Sequence, residues 1–158
     1  MVGHISNIYF KNSFNIQNLI QTSKLTNYTI LGDYVECECG VHARLLARDM
    51  VKRGFKGFEG LIDLPGTIGG AVVNNSGCYG SQISDLLLGA KLLLPNGVVR
   101  CLSPQELAFT IRSSSLKRGE VKGIILSVTL RLVNGDPDEL MKLADKAHQD
   151  RLRTSSSK

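Results

Sequence analysis

Tryptophan is absent from this chain of 158 residues, and aromatic side chains make up only 6% of it. No stripe of basic residues interleaved with aromatics occurs, so a nucleic-acid partner is not expected. No run of about 18 apolar residues is present, which excludes a membrane-spanning helix of ordinary length. The first residues, MVGHISNIYFKNS, lack the charged-then-apolar order of a secretory signal, so a soluble, cytoplasmic protein without a membrane partner is expected. The four cysteines, at 37, 39, 78 and 101, form neither a CxxC pair nor a Cys/His cluster of zinc spacing, and are read as reduced thiols with no metal. Neither GxGxxG after a strand nor GxxxxGK[ST] appears, so the Rossmann and P-loop readings have no support. No internal repeat or clear linker divides the chain.

What is present is enough apolar sequence, 42%, for one real core, and a net charge of +5 spread along the chain. That excess favours anionic small ligands through long-range steering. Period-two runs at 5–10, 16–20, 28–31 and 34–39 predict a small β-meander. Helical spacing of Leu45, Leu46, Met50 and Val51, with Ala43 and Ala47 between, predicts a helix over 42–53 that stops at Gly54 and is basic outside. Thr67 is placed to cap a short helix from 68 to 74 or 75, and residues 75–80 are then expected to be a loop. Pro95-Asn96-Gly97 between apolar runs 86–94 and 98–102 predicts two antiparallel strands. Ser103 and Glu106 form a capping box for a turn over 104–109. A long strand over 123–133 and a helix opened by Asp136 and running towards Arg151 complete an α+β pattern, with 154–158 expected to be a disordered tail.

Residues 64–80 read LPGTIGGAVVNNSGCYG, and five of the last fifteen are glycine: Gly66, Gly69, Gly70, Gly77 and Gly80. Such density costs backbone entropy without core packing, so something must approach that backbone closely. Bare N–H groups at the start of a helix, with the Thr67 hydroxyl, are expected to receive a phosphate or a flavin edge. Tight turns that need positive φ are the alternative explanation of the same glycines.

The order of residues 57–71, GFEGLIDLPGTIGGA, followed by NSGCYG at 75–80, resembles the signature of the UDP-N-acetylenolpyruvoylglucosamine reductases, the MurB family. Close substitutions stand at Leu64, Ile68, Ser76 and Cys78. The segment GHISN at 3–7 resembles the end of that family's pyrophosphate loop, and FTIRSS at 109–114 resembles its F-x-Y-R-x-S motif, with Ile111 where the family usually has tyrosine.

The resemblance implies a type-2 FAD-binding fold of the vanillyl-alcohol-oxidase/PCMH-like kind, with mixed sheets and flanking helices. It implies non-covalent FAD, although His4 lies in the pyrophosphate segment where distant relatives attach the cofactor. Cofactor contacts are implied for Gly3, Ser6, Asn7, Pro65, Gly66, Thr67, Ile68, Gly69, Gly70, Asn75, Gly77, Tyr79 and Gly80. Arg112 falls on the arginine that polarises the enolpyruvyl group as hydride arrives, a form of electrostatic catalysis. NADPH is the implied co-substrate, and UDP-N-acetylglucosamine enolpyruvate, a nucleotide sugar of peptidoglycan synthesis, the implied substrate.

Family members are about twice as long, with further strands before GHISN and a later domain carrying a serine proton donor and a glutamate. Ser155, Ser156 and Ser157 cannot be mapped onto that serine. The chain is therefore expected to hold a remnant of a first FAD-binding subdomain at 1–34 and a second subdomain at 35–153, and to show little reductase activity alone. Two alternatives stay open: a non-catalytic flavin- or partner-binding homologue, self-associating through an exposed sheet edge, and another flavoprotein oxidoreductase of the same fold.

Overall fold

A computed structural model describes residues 20–155. The pyrophosphate-like residues Gly3, Ser6 and Asn7, with His4, lie outside the described residues, as do the apolar runs expected at 5–10 and through most of 16–20.

β1 (Tyr28–Leu31) and β2 (Tyr34–Glu38) form an antiparallel hairpin in which Leu31 pairs with Tyr34 across Gly32 and Asp33. This hairpin straddles the 34/35 position, so residues on both sides of it share one sheet. β5 (Leu87–Leu93), β6 (Val99–Leu102) and β7 (Ile124–Arg131) complete that sheet in the order β1-β2-β7-β5-β6, and every pairing is antiparallel. Alternation puts Val35, Cys37 and Cys39 inward from the β2 side, as the period-two pattern requires. On β7 the inward set is Ile125, Val128 and Leu130, which breaks strict alternation. The register explains it: Lys91 faces Ser127 but Leu92 faces Ile125, so Leu126 is an extra residue, a bulge that flips the parity of the strand.

α1 (Ala43–Lys52) buries Ala43, Leu46, Ala47, Met50 and Val51 and turns Arg44, Arg48 and Lys52 to solvent, the expected amphipathic division. Gly54, at φ +80°, ends it. α2 (Ile68–Val73) has Thr67 as its N-cap. α4 (Pro104–Leu107) carries the anticipated capping box between Ser103 and Glu106. The Ser103 backbone and hydroxyl bonds hold the Glu106 carboxyl below its usual range.

Three local elements escape the periodicity. A 3-10 turn spans Glu59–Leu61, α3 (Ile83–Leu86) occupies the start of the apolar run assigned to β5, and α5 (Ser115–Arg118) follows Arg112. α3 forms because Gln82 and Asp85 cap it reciprocally.

α6 (Pro137–Ser155) runs beyond Arg153 into the stretch expected to be tail. Leu140, Ala144 and Ala147 form its buried stripe, and His148 Nδ1 lies 2.7 Å from an Asp63 oxygen. A cleft of about 300 Å³ between α1 and α6 is lined by Arg48, Val51, Lys52, Ile62, Met141, Ala144, Asp145 and His148, none of them an expected site residue. Among the described residues no helix is long and apolar enough to cross a membrane.

Candidate functional site

The glycine-rich segment folds as a cap, a short helix and a tight hairpin. Residue 67 is extended at φ −109°, and its hydroxyl oxygen accepts from the Gly70 N–H at 3.3 Å. The N–H groups of Ile68 and Gly69 donate to the carbonyls of Val41 and Cys39, each at 2.9 Å, and that of Ala71 donates to the Thr67 carbonyl at 2.9 Å. All four leading N–H groups of α2 are therefore occupied by the chain itself. This corrects the expectation of bare donors awaiting a phosphate: the loop after β2 turns its carbonyls onto the helix start.

The expected contact residues divide by face. Thr67, Ile68 and Gly69 are buried, and a Cβ on Gly69 would sit 2.8 Å from the Cys39 Cβ. Gly69 is thus a packing glycine that lets α2 lie against the sheet. Gly70 is exposed, and a Cβ there would meet only the Thr67 Oγ at 3.5 Å. Pro65 is exposed and Gly66 half-buried beside it. Gly70 and the exposed Asn74, four residues apart, share the outer side of α2, and the Asn74 side-chain amide donates to the Gly70 carbonyl at 3.0 Å.

Residues 75–80, expected to be a loop, contain a hairpin instead. β3 (Gly77–Cys78) pairs with β4 (Ser81–Gln82), closed by Tyr79 at φ +50° and Gly80 at φ +81°. Two consecutive left-handed residues suit the two-residue hairpin turn. Strands of two residues give no alternation to detect. Gly77 packs inside this hairpin, where a Cβ would lie 2.4 Å from the Ser81 carbonyl oxygen. Tyr79 and Gly80 are exposed at its tip.

Arg112 sits at the tip of a four-residue turn. Thr110 and Ser113 exchange backbone hydrogen bonds of 3.0 and 3.1 Å, and Ile111 and Arg112 lie between them. Arg112 is exposed at φ +56°, and its guanidinium has no partner among the described residues. Ile111 is 90% exposed. Among the described residues, Asn75, Tyr79 and Arg112, all expected site residues, are three of the four non-glycine residues with positive φ. Backbone strain of this kind concentrates at functional sites.

Two polar side chains join this turn to the glycine-rich segment. Asn75, buried and at φ +42°, donates from Nδ2 to the Thr110 carbonyl at 2.9 Å. Ser114, fully buried, donates its hydroxyl to the Val73 carbonyl at 2.7 Å and caps α5 by accepting from the Lys117 N–H. The turn is anchored at the C-terminal end of α2, about one helical turn from Gly70. Neither link was visible in the sequence, although Ser114 before an apolar-basic run carried a cap signal.

Gly70 is open to solvent on the outer side of α2, while the four leading N–H groups of the helix are bonded within the chain. Among the described residues no group of three His, Cys, Asp or Glu side chains could hold a metal ion. Cys37, Cys39, Cys78 and Cys101 are all free thiols.

The FAD binding domain family matches residues 2–103. The UDP-N-acetylenolpyruvoylglucosamine reductase of Streptococcus pneumoniae (strain Hungary19A-6) is 31% identical over 146 residues, 92% of this chain and 48% of its own length. The crystal structure of UDP-N-acetylenolpyruvylglucosamine reductase (MurB) from Thermus caldophilus superimposes with a TM-score of 0.72 at 27% identity, over 83% of this chain and 47% of that one. A solvent-stable cholesterol oxidase, 19% identical with a TM-score of 0.54 over 72% of this chain and 24% of its own, shares the fold alone. The chain spans about half the length of the curated relatives it matches. With its type-2 fold, and with the glycine-rich segment inside the matched residues 2–103, the chain belongs to the FAD binding domain family, as a part similar to the UDP-N-acetylenolpyruvoylglucosamine reductases.

Proposed function

We propose that this chain is the FAD-binding portion of a reductase that uses NADPH to reduce UDP-N-acetylglucosamine enolpyruvate to UDP-N-acetylmuramate in the cytoplasm, for peptidoglycan synthesis. The observation that carries this reading is the Arg112 turn, with left-handed backbone at an exposed arginine, anchored to the end of α2. FAD, held without a covalent bond, supplies the hydride when bound.

Pro65, Gly66 and Gly70 offer it a surface free of bulky side chains, and Tyr79 and Gly80 an exposed hairpin tip. Gly3, Ser6 and Asn7 are the proposed pyrophosphate contacts, because the α2 donors are consumed internally. Arg112 contributes a positive charge where enolate character develops on the substrate, lowering the barrier electrostatically. Ile111, lacking a hydroxyl, offers the substrate an apolar contact only.

The reaction also needs a proton on the carbon next to the hydride acceptor. None of the described residues is proposed as that donor, and little turnover is expected from the chain alone. Titration of the purified chain with FAD, followed by visible absorbance, tests the cofactor; a chain that stays colourless refutes it. NADPH oxidation dependent on the enolpyruvyl nucleotide sugar, at a rate typical of an enzyme, would refute the expected inactivity.

A further inference from the structure

The turn from Thr110 to Ser113 closes on only two backbone hydrogen bonds and has a 90% exposed isoleucine and a left-handed arginine at its tip. Such a turn, left to itself, samples many conformations, and an arginine on it would be a diffuse charge. Three side chains oppose that freedom. Asn75 Nδ2 donates to the Thr110 carbonyl at 2.9 Å, entering the turn from 35 residues away. Lys117 Nζ donates to the carbonyl of Arg112 itself at 2.8 Å. Ser114, the next residue after the turn, is fixed by its 2.7 Å bond to the Val73 carbonyl.

Asn75 is the least expected of these as a holding residue, since its motif position implies a cofactor contact. Only 3% of it is exposed, and both hydrogens of its side-chain amide are committed within the protein. Nδ2 also donates to Gln82 Oε1 at 3.2 Å, and Oδ1 accepts from the Ser84 N–H at 3.4 Å. A side chain so engaged has no N–H left to donate to a ligand. Its reach from the end of α2 to the turn is a means of setting where Arg112 points.

We propose that Asn75 and Ser114, with Lys117, are positioning residues that fix the Arg112 backbone beside the C-terminal end of α2, so that the root of its charged side chain is set before any ligand arrives. The side chains act through Arg112 and touch no ligand themselves. The part concerning what Arg112 faces rests on the flavin reading above; the fixing of the turn does not. Preorganised charge is the form in which an electrostatic contribution to a reaction is largest.

The test uses the 15N-labelled chain. Asn75→Gly deletes the amide but accepts φ +42° without strain, so the fold is kept. Hydrogen exchange at the Ser113 amide should then accelerate roughly tenfold or more, while protection in Ile124–Arg131 stays unchanged. The Arg112 backbone order parameter should fall from about 0.85 to below about 0.6. Ser114→Ala should act in the same direction and Ser114→Thr, which keeps the hydroxyl, should restore the original behaviour. Unchanged Ser113 exchange and Arg112 order in Asn75→Gly overturn the proposal.

A second readout concerns the charge itself. In the chain loaded with FAD, Arg112→Ala and Asn75→Gly should both lower the flavin midpoint potential, and the double variant should lower it no further than Arg112→Ala alone. A potential unmoved by Asn75→Gly but lowered by Arg112→Ala overturns the positioning role. A chain that takes up no FAD, yet shows the accelerated Ser113 exchange, overturns the flavin reading and leaves the fixing of the turn standing.

Discussion

The inner and outer faces of α2 use neighbouring glycines for opposite ends. On the inner face Gly69 lets the helix approach the Cys39 backbone so closely that even a methyl group would collide. On the outer face Gly70 leaves room for a side chain, since a Cβ there would meet only the Thr67 Oγ at 3.5 Å, and the exposed Asn74 follows one turn on. A glycine-rich motif is therefore not evidence of one role: half of it closes the fold, and half keeps a surface open.

Breaking the inner face should have the largest effect. Gly69→Val should destabilise the protein by about 3 kcal/mol, because the clash is with packed backbone rather than a flexible side-chain end. A thermal melt would register this as a fall of about 6–12 °C. A melting temperature within error of the original would place Gly69 outside the packing role.

Ser114→Ala should cost about 2 kcal/mol, since it strips a buried carbonyl of its partner and removes the α5 cap together. Chemical denaturation reads this directly, and a loss no greater than that of an exposed serine would detach the turn from α2.

The dryness of the interior behind Gly69 can be titrated. Burial, followed by the nearby Glu36 and Cys39, pushes the Cys37 thiol up to about 12 from an ordinary 9.0. The folded protein holds that proton more tightly than the unfolded chain, so stability from this group is complete below pH 9.0. It is lost as pH rises towards 12, by about 1.4 kcal/mol per pH unit. Cys37→Ala should flatten that part of the alkaline denaturation profile; an identical slope would mean that the inner face is wet.

The smallest effect belongs to the outer face. Gly70→Ala should leave stability unchanged or raise it by about 0.5–1 kcal/mol, the helix-interior preference for alanine over glycine. A destabilisation like that of Gly69 would erase the distinction between the faces.

The legible parts of this molecule are those written in adjacent residues. The cap at Thr67, the capping box of Ser103 and Glu106, the Asn96-Gly97 hairpin and the amphipathic α1 follow from local chemistry, and the structure has each of them. The motif order around the glycines and Arg112 was legible for the same reason. What escaped depends on distant partners or on very short elements. The occupation of the α2 donors by Val41 and Cys39 carbonyls cannot be read from glycine spacing. The bonds from Asn75 to Thr110 and from Ser114 to Val73 bridge 35 and 41 residues. The bulge at Leu126 shifts the parity of a strand whose apolar pattern looks continuous.

We propose the outer face of α2 as the place for FAD. The most direct test is a visible-absorbance titration with FAD of the unaltered chain and of Gly70→Phe, each checked for its melting temperature. The unaltered chain should bind FAD, and Gly70→Phe should melt at nearly the same temperature but bind none. FAD binding of equal strength in both would contradict it.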